Sequence, residues 1–222
     1  MGYRLRNPST ANQRPGRLLA VGDIHGCDQL LRELLAQVEP TEHDQLVFLG
    51  DYIDRGSGSR RVIEQLLALR QAFPQTVFLK GNHEQMLLAY LAGNDEALDF
   101  LANGGGRTLE NYRTAGQLSI PKEHLDFFIA LRNRYETEDF IFVHAGLRPG
   151  IPSDRQSEAD LLWIRSEFLD SDYDWGKTVV FGHTPQTSPI LTTNRIGLDT
   201  GAVYGRQLSC CDVLTRKIWT AG

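Results

Sequence analysis

The chain has 222 residues, 41% of them apolar and 23% charged, with a net charge of −5. That length supports a full hydrophobic core, and the acidic balance excludes a global field that would draw in nucleic acid or an anionic membrane surface. Cys27, Cys210 and Cys211 form no CxxC and no disulfide framework, and no apolar run approaches the ~20 residues of a membrane span, so a reducing, cytoplasmic setting is expected.

Residues 1–16 are polar, carry two prolines and lack the apolar centre of a secretory leader, so a loose tail is expected there. Arg17–Val21 reads as a short strand. Asp28–Val38 places leucines at 30, 31, 34 and 35, which is helical spacing. A second strand over Gln45–Leu49 precedes a helix over Ser59–Phe73, closed by Pro74. A third strand over Thr76–Leu79 precedes a helix beginning at Glu84. Three strand–motif–helix units in a row predict parallel strands with helices packed on them. The middle differs. Asp95–Asn103 and His124–Asn133 read as helices separated by Gly104-Gly105-Gly106, and 93–135 is expected to be a helical insertion or cap. Phe140–Val143, Thr178–Phe181, Ile190–Thr193, Arg195–Leu198, Gln207–Val213 and Lys217–Thr220 are short strands with turn residues between them, the pattern of an antiparallel meander. Residues 17–222 are read as one α/β domain.

Five segments pair glycine with Asp, Asn or His: Gly22-Asp23-Ile24-His25-Gly26, Gly50-Asp51-Tyr52-Ile53-Asp54-Arg55-Gly56, Gly81-Asn82-His83-Glu84, His144-Ala145-Gly146 and Gly182-His183-Thr184. Each follows an apolar run, and strand ends are where an α/β protein gathers distant side chains into one site. Asp23 and His25, two apart on extended backbone, would share a face. Singly, each residue has a plain reading: a helix cap for Asp51, a turn residue for Asn82, a buried structural imidazole for His144 or His183. Together they supply two Asp, one Asn and three His, the mixed oxygen and nitrogen donors that suit two ions of Mn, Fe or Zn rather than Ca or Mg. His43 and His124 lie in charged or exposed sequence and are given no role, and Glu84 is assigned to helix initiation.

These segments resemble, in order and separation, the phosphoprotein phosphatase family of the calcineurin-like metallophosphoesterase superfamily. Its bacterial and lambda-phage members share in addition Asn103-Gly-Gly-Gly, Trp163-Ile164-Arg165 and Asp199-Thr-Gly-Ala-Val. The resemblance runs from about Arg17 to Val213. It implies a central β-sandwich of mixed sheets flanked by helices, with two divalent metals at one edge, Mn²⁺ first among the candidates and Fe or Zn as alternatives. It implies that Asp23, His25 and Asp51 bind one metal, and that Asp51, Asn82, His144 and His183 bind the other, with Asp51 bridging. His83 would be the general acid held by Asp54, and Arg55 and Arg165 would grip the phosphate. For Arg165 the competing reading is a helix-surface arginine behind a buried Trp163.

The chemistry agrees with that assignment. Two metals about 3.5–4 Å apart can lower the pKa of a shared water enough to supply an in-line nucleophile near neutral pH. An arginine fork matches phosphate geometry, and an imidazole beside a carboxylate keeps its proton for the departing alkoxide. The expected activity is therefore a metal-dependent phosphomonoesterase on phosphoserine or phosphothreonine in proteins, extending to phosphotyrosine, with no nucleic-acid or membrane partner. A symmetrical dinucleoside tetraphosphatase is the alternative. Intact Asp54 and the GNHE form of the third segment, where those enzymes tend to have GNHD, favour the former. A phosphate-binding protein without catalysis ranks last, since no ligand position is missing.

Overall fold

The computed structural model describes residues 16–94 and 97–222. The expectation for the tail thus falls, apart from Gly16, outside the described residues, as do Asp95 and Glu96 of the first mid-chain helix.

The first half follows its apolar patterning closely. Strand β1 is Leu18–Val21, helix α1 Asp28–Val38, β2 Gln45–Phe48, α2 Ser59–Ala72, β3 Val77–Phe78 and α3 Asn82–Leu91. On α1, Leu31, Leu34, Leu35 and Val38 form the buried stripe, and Glu39 ends the helix in a left-handed conformation with its N–H on Leu35 O. Strands β1, β2 and β3 are mutually parallel, in the order β1-β2-β3.

The middle holds α4 (Ala97–Phe100), a π-type turn (Leu101–Gly105), α5 (Gly106–Asn111), a small hairpin of β4 (Arg113–Thr114) and β5 (Gln117–Leu118), and α6 (Lys122–Ile129). The glycine triplet lies between the two expected helices, but it breaks the helical path only at Gly104. Gly104 makes the kink and the chain resumes helix at Gly106. Packing explains the resumption: Leu109 joins the core beneath α2, and Phe100 lies against Gly105, where a Cβ would sit 2.5 Å from the ring. Tertiary burial outweighs the low helix propensity of glycine. His124, expected exposed, is buried and bonded to the Tyr112 hydroxyl at 2.8 Å.

The C-terminal half corrects the meander. After β6 (Arg134–Glu136) and β7 (Phe140–Val143) come α7 (Glu158–Trp163), α8 (Ser166–Leu169), β8 (Thr178–Phe181), β9 (Ile190–Leu191) and β10 (Arg195–Gly197), followed by β11 (Leu208–Asp212) and β12 (Lys217–Ala221). Strand β8 pairs parallel to both β7 and β10, so the second sheet runs β6-β7-β8-β10-β9. Strand β11 crosses back to pair antiparallel with β1, giving a first sheet β12-β11-β1-β2-β3. Short apolar runs do not reveal their partners, because strand direction is decided by which sheet face each run can bury.

The two sheets pack face to face. Leu18, Ala20, Val47, Leu49, Phe142, Val180, Ile196 and Cys211 fill the space between them. Alternate residues face outward. Leu19, Val21, Phe48 and Cys210 lie under α1, α2 and α6, while Ile141, Val143, Val179 and Phe181 lie under α7 and α8. The result is a mixed β-sandwich flanked by helices, the architecture implied by the resemblance. The three cysteines are free thiols. No helix among the described residues is long and apolar enough to cross a membrane.

Candidate dimetal active site

Strands β1, β2, β3, β7, β8 and β10 all end at the same edge of the sandwich. The turns after them carry Asp23 and His25, Asp51 to Arg55, Asn82 and His83, His144, His183, and Asp199. Apart from Arg55, these functional side chains are buried.

The backbone there is unusual. His25, Asp51, Asp54, Arg55 and His183 all have φ between +45° and +73°. Non-glycine residues rarely occupy this region, and such strain persists only where the surroundings over-determine it. Asp23 and His25 therefore do not share a face through strand alternation, because β1 ends at Val21 and His25 sits in a left-handed turn. Neighbouring glycines make room for the carboxylates: a Cβ on Gly81 would lie 2.0 Å from Asp51 Oδ1, and one on Gly182 would lie 2.1 Å from Asp23 Oδ1.

Five of the six expected ligands, His25, Asp51, Asn82, His144 and His183, are linked by contacts of 3.4 Å or less; Asp23 meets them through the His183 backbone, and His83 stands with His25 and Asp51 in the group where Asp23 is expected. His25 Nε2 lies 3.3 Å from Asp51 Oδ2, and His144 Nε2 lies 3.4 Å from Asp51 Oδ1. Asn82 Oδ1 is 3.0 Å from His144 Nε2 and 3.1 Å from His183 Nδ1. Asp23 accepts the His183 N–H on both oxygens, at 3.1 and 3.0 Å. Two groups, His25–Asp51–His83 and Asp51–His144–His183, each bring three donor atoms within 4.8 Å of one another and share Asp51.

The donor set fits cations. His25 Nδ1 faces Ile53 O at 2.8 Å and His144 Nδ1 faces Leu49 O at 2.9 Å. A carbonyl only accepts, so both Nδ1 atoms carry the proton and both Nε2 lone pairs point into the site. At His144 that lone pair faces two further acceptors, on Asn82 and Asp51, an arrangement that a positive ion between them would satisfy. His183 Nε2 is buried without a hydrogen-bond partner among the described residues. Burial lowers the pKa of His25 to about 3 and also depresses His144 and His183, which keeps these imidazoles in the neutral, ligating form. Burial and the nearby Asp199 and Asp51 charges push Asp23 well up, burial pushes Asp199 up to about 6, and burial with the Asp51 charge pushes Glu84 up to about 8. Acidic groups packed this closely call for positive charge beside them.

His83 is set apart by its partner. Its Nδ1 is 2.7 Å from Asp54 Oδ2, both residues are buried, and its Nε2 lies 3.9 Å from Asp51 Oδ2. Burial alone would lower its pKa, but the Asp51 and Asp54 carboxylates outweigh it and hold the imidazole above its usual value. Asp54 is paired with His83 rather than with Arg55, so the two consecutive residues do not form a surface ion pair. Arg55 directs Nη1 at His25 Nε2, 2.7 Å away, and its guanidinium lies 5.8 Å from the centre of the exposed Tyr204 ring. Arg165 stands exposed at the start of α8, close enough for its charge to depress His144 and His183 further. Trp163 is exposed rather than buried; its Nε1–H donates to Gln85 Oε1 at 3.0 Å and its ring meets His183 edge-on at 6.3 Å.

Two residues do more than their sequence context suggests. Glu84 is fully buried, and besides closing the start of α3 on Gly81 N–H it accepts from Asp51, Tyr52 and Ile53 N–H, at 2.8–3.3 Å. It therefore ties the Asp51 loop to α3. Asp199 is buried beside Asp23; its signals in the sequence are its place after an apolar run and the Asp199-Thr-Gly-Ala-Val segment, neither of which assigns it a role.

Comparison with known proteins agrees with this geometry. The family model for calcineurin-like phosphoesterases matches residues 16–208. The serine/threonine-protein phosphatase 1 of Salmonella typhimurium is 34% identical over 204 residues, covering 85% of this chain and 88% of that one. An asymmetrical bis(5'-nucleosyl)-tetraphosphatase of Oceanobacillus iheyensis is 28% identical over 220 residues, covering 85% of each. Among solved structures, one provisionally assigned as a diadenosine tetraphosphatase superposes with a TM-score of 0.73 at 26% identity, over 93% of both chains. A cold-active protein tyrosine phosphatase shares the fold at 18% identity, with a TM-score of 0.66 over 92% of this chain and 78% of its own. A match to the family model across nearly the whole chain, and a sandwich edge that gathers buried Asp, Asn and His donors around one carboxylate, lead to the same place: the chain belongs to the calcineurin-like phosphoesterase family and is a metal-binding phosphoric ester hydrolase.

Proposed function

We propose that this enzyme is a dimetal phosphomonoesterase that removes phosphate from serine and threonine side chains of proteins, with phosphotyrosine as a further substrate. Asp23, His25 and Asp51 would hold one ion, and Asp51, Asn82, His144 and His183 the other, with Mn²⁺ the favoured metal. When bound, the ions polarise the phosphoryl oxygens and lower the pKa of water. The chain's own residues do the rest. Arg55 and Arg165 bind the phosphate. His25 has one Nε2 lone pair, so an ion held there leaves the Arg55 guanidinium free for the substrate. His83 Nε2–H protonates the departing oxygen, and Asp54 on Nδ1 keeps that proton in place.

The observation that carries this reading is the buried Asp54–His83 pair at 2.7 Å. A serine alkoxide is a poor leaving group and needs a proton as it departs. A nucleotide leaves as a phosphate anion, which is stable without one. An organised proton donor is therefore of most use on an alkyl monoester. The second reading, hydrolysis of a dinucleoside tetraphosphate, is favoured by the relatives that carry that name. The test is metal-reconstituted enzyme assayed side by side on a phosphoserine peptide and on a dinucleoside tetraphosphate. A kcat/KM at least tenfold higher on the peptide, about 1.4 kcal/mol of transition-state preference, is expected. The reverse preference would replace the first reading with the second.

A further inference from the structure

The corner Asp54-Arg55, two consecutive residues with φ of +73° and +65°, is held by contacts from outside its own loop. Thr108, on α5, is fully buried. Its hydroxyl donates to Asp54 Oδ1 at 2.5 Å and accepts from Asp54 N–H at 3.0 Å. Ser59 Oγ also accepts from Asp54 N–H, at 3.1 Å, and lies 3.1 Å from Thr108 Oγ1. Gly104, in the turn before α5, accepts from Arg55 N–H at 3.3 Å, and its backbone passes so close that a Cβ would meet Arg55 Cγ at 3.0 Å. The segment 101–111 thus grips both residues of the corner.

A carboxylate only accepts, and in a dry site each of its oxygens needs a donor. Asp54 Oδ2 has His83 and Oδ1 has Thr108. With both filled, the carboxylate plane is fixed and the imidazole is aimed. We propose that Thr108 is a positioning residue for leaving-group protonation: through Asp54 it orients His83, so that the mid-chain helical segment forms part of the proton-donating apparatus. This rests on His83 and Asp54 being the general-acid pair.

Thr108→Val keeps the shape and removes the hydroxyl, while Ser59 still satisfies Asp54 N–H. Loss of an orienting partner of this kind typically costs roughly 10–100-fold in activity. That loss is expected in kcat on a phosphoserine peptide, with KM and metal content unchanged and a clearly smaller loss on p-nitrophenyl phosphate. Thr108→Ser should restore the rate. In a His83→Asn background, Thr108→Val should cost nothing more, because its effect is already lost. Equal losses on both substrates, additive loss in the double variant, or no rescue by serine would each overturn the proposal. If Thr108→Val does not fold, Thr108→Cys, a weaker donor of similar size, should fall between wild type and His83→Asn on the peptide alone; wild-type behaviour would overturn the proposal. His83→Asn measured alone guards the premise. If it shows no leaving-group dependence, the general-acid assignment fails first; if it does and Thr108→Val does not, only the role of Thr108 fails.

Discussion

His83→Asn separates proton donation from metal binding. The residue adjoins the expected ligand Asn82, but its Nδ1 is taken by Asp54 at 2.7 Å and its Nε2 stands 3.9 Å from Asp51 Oδ2. Both metals should therefore remain, which elemental analysis will read. General-acid catalysis contributes about 10²–10⁴-fold, or roughly 3–5 kcal/mol of barrier, and kcat on a phosphoserine peptide should fall by that range. A p-nitrophenyl ester leaves as a stabilised phenolate, so its deficit should be much smaller. The variant should also be less stable. Asp54 is fully buried, and removing one partner of a buried ion pair costs about 3–5 kcal/mol. At roughly 2–4 °C per kcal/mol for a chain of this size, Tm should drop by about 6–20 °C, and assays belong well below it. Loss of a metal would make His83 a ligand. Equal deficits on the two esters would remove it from the acid role.

Other consequences follow from the same geometry. Chelator-treated enzyme should lose turnover and thermal stability together and regain both with Mn²⁺, since an ion that binds only the folded state stabilises it; unchanged turnover in a verified metal-free sample would refute the dimetal reading. Arg55→Ala should raise KM and weaken inhibition by inorganic phosphate as well as lower kcat, and Arg165→Ala should do likewise; wild-type phosphate inhibition in the latter would return Arg165 to the surface. Burial holds His124 below its ordinary pKa, so its site contributes fully above an unfolded-state pKa of about 6.5 and loses that contribution as pH falls through the depressed folded value. His124→Asn, which keeps an acceptor near Tyr112 Oη, should flatten the fall of Tm between about pH 7 and about pH 5; an unchanged slope would refute the linkage.

Much of this was open to reading along the chain. The boundaries of α1, β7 and β8 coincide with their apolar patterns, because α1 buries one helical stripe and β7 and β8 are short continuous apolar runs buried on both faces. The donor types were equally visible: Asp, Asn and His beside glycine at successive strand ends have few uses other than a polar site, and the resemblance of those segments to a family implies roles for them. What could not be read locally depended on contacts between distant residues. Strand direction in the second half followed from which sheet each apolar run could join, so β8 and β10 run parallel and β11 returns to β1. His124 is buried because Tyr112 receives it, and Trp163 is exposed because its indole lies over the site edge, bonded to Gln85. The left-handed turns at His25, Asp51, Asp54, Arg55 and His183 have no propensity signal, since such conformations are imposed on non-glycine residues by their surroundings. Glu84 looked like a helix start because that is its local role, while its bonds to Asp51, Tyr52 and Ile53 cross 31–33 residues of chain. Thr108 stands 54 residues from Asp54 and carries no motif of its own. Side-chain chemistry belongs to the residue and is written in the sequence; the orientation that makes it useful belongs to the packed backbone, and only the folded chain decides it.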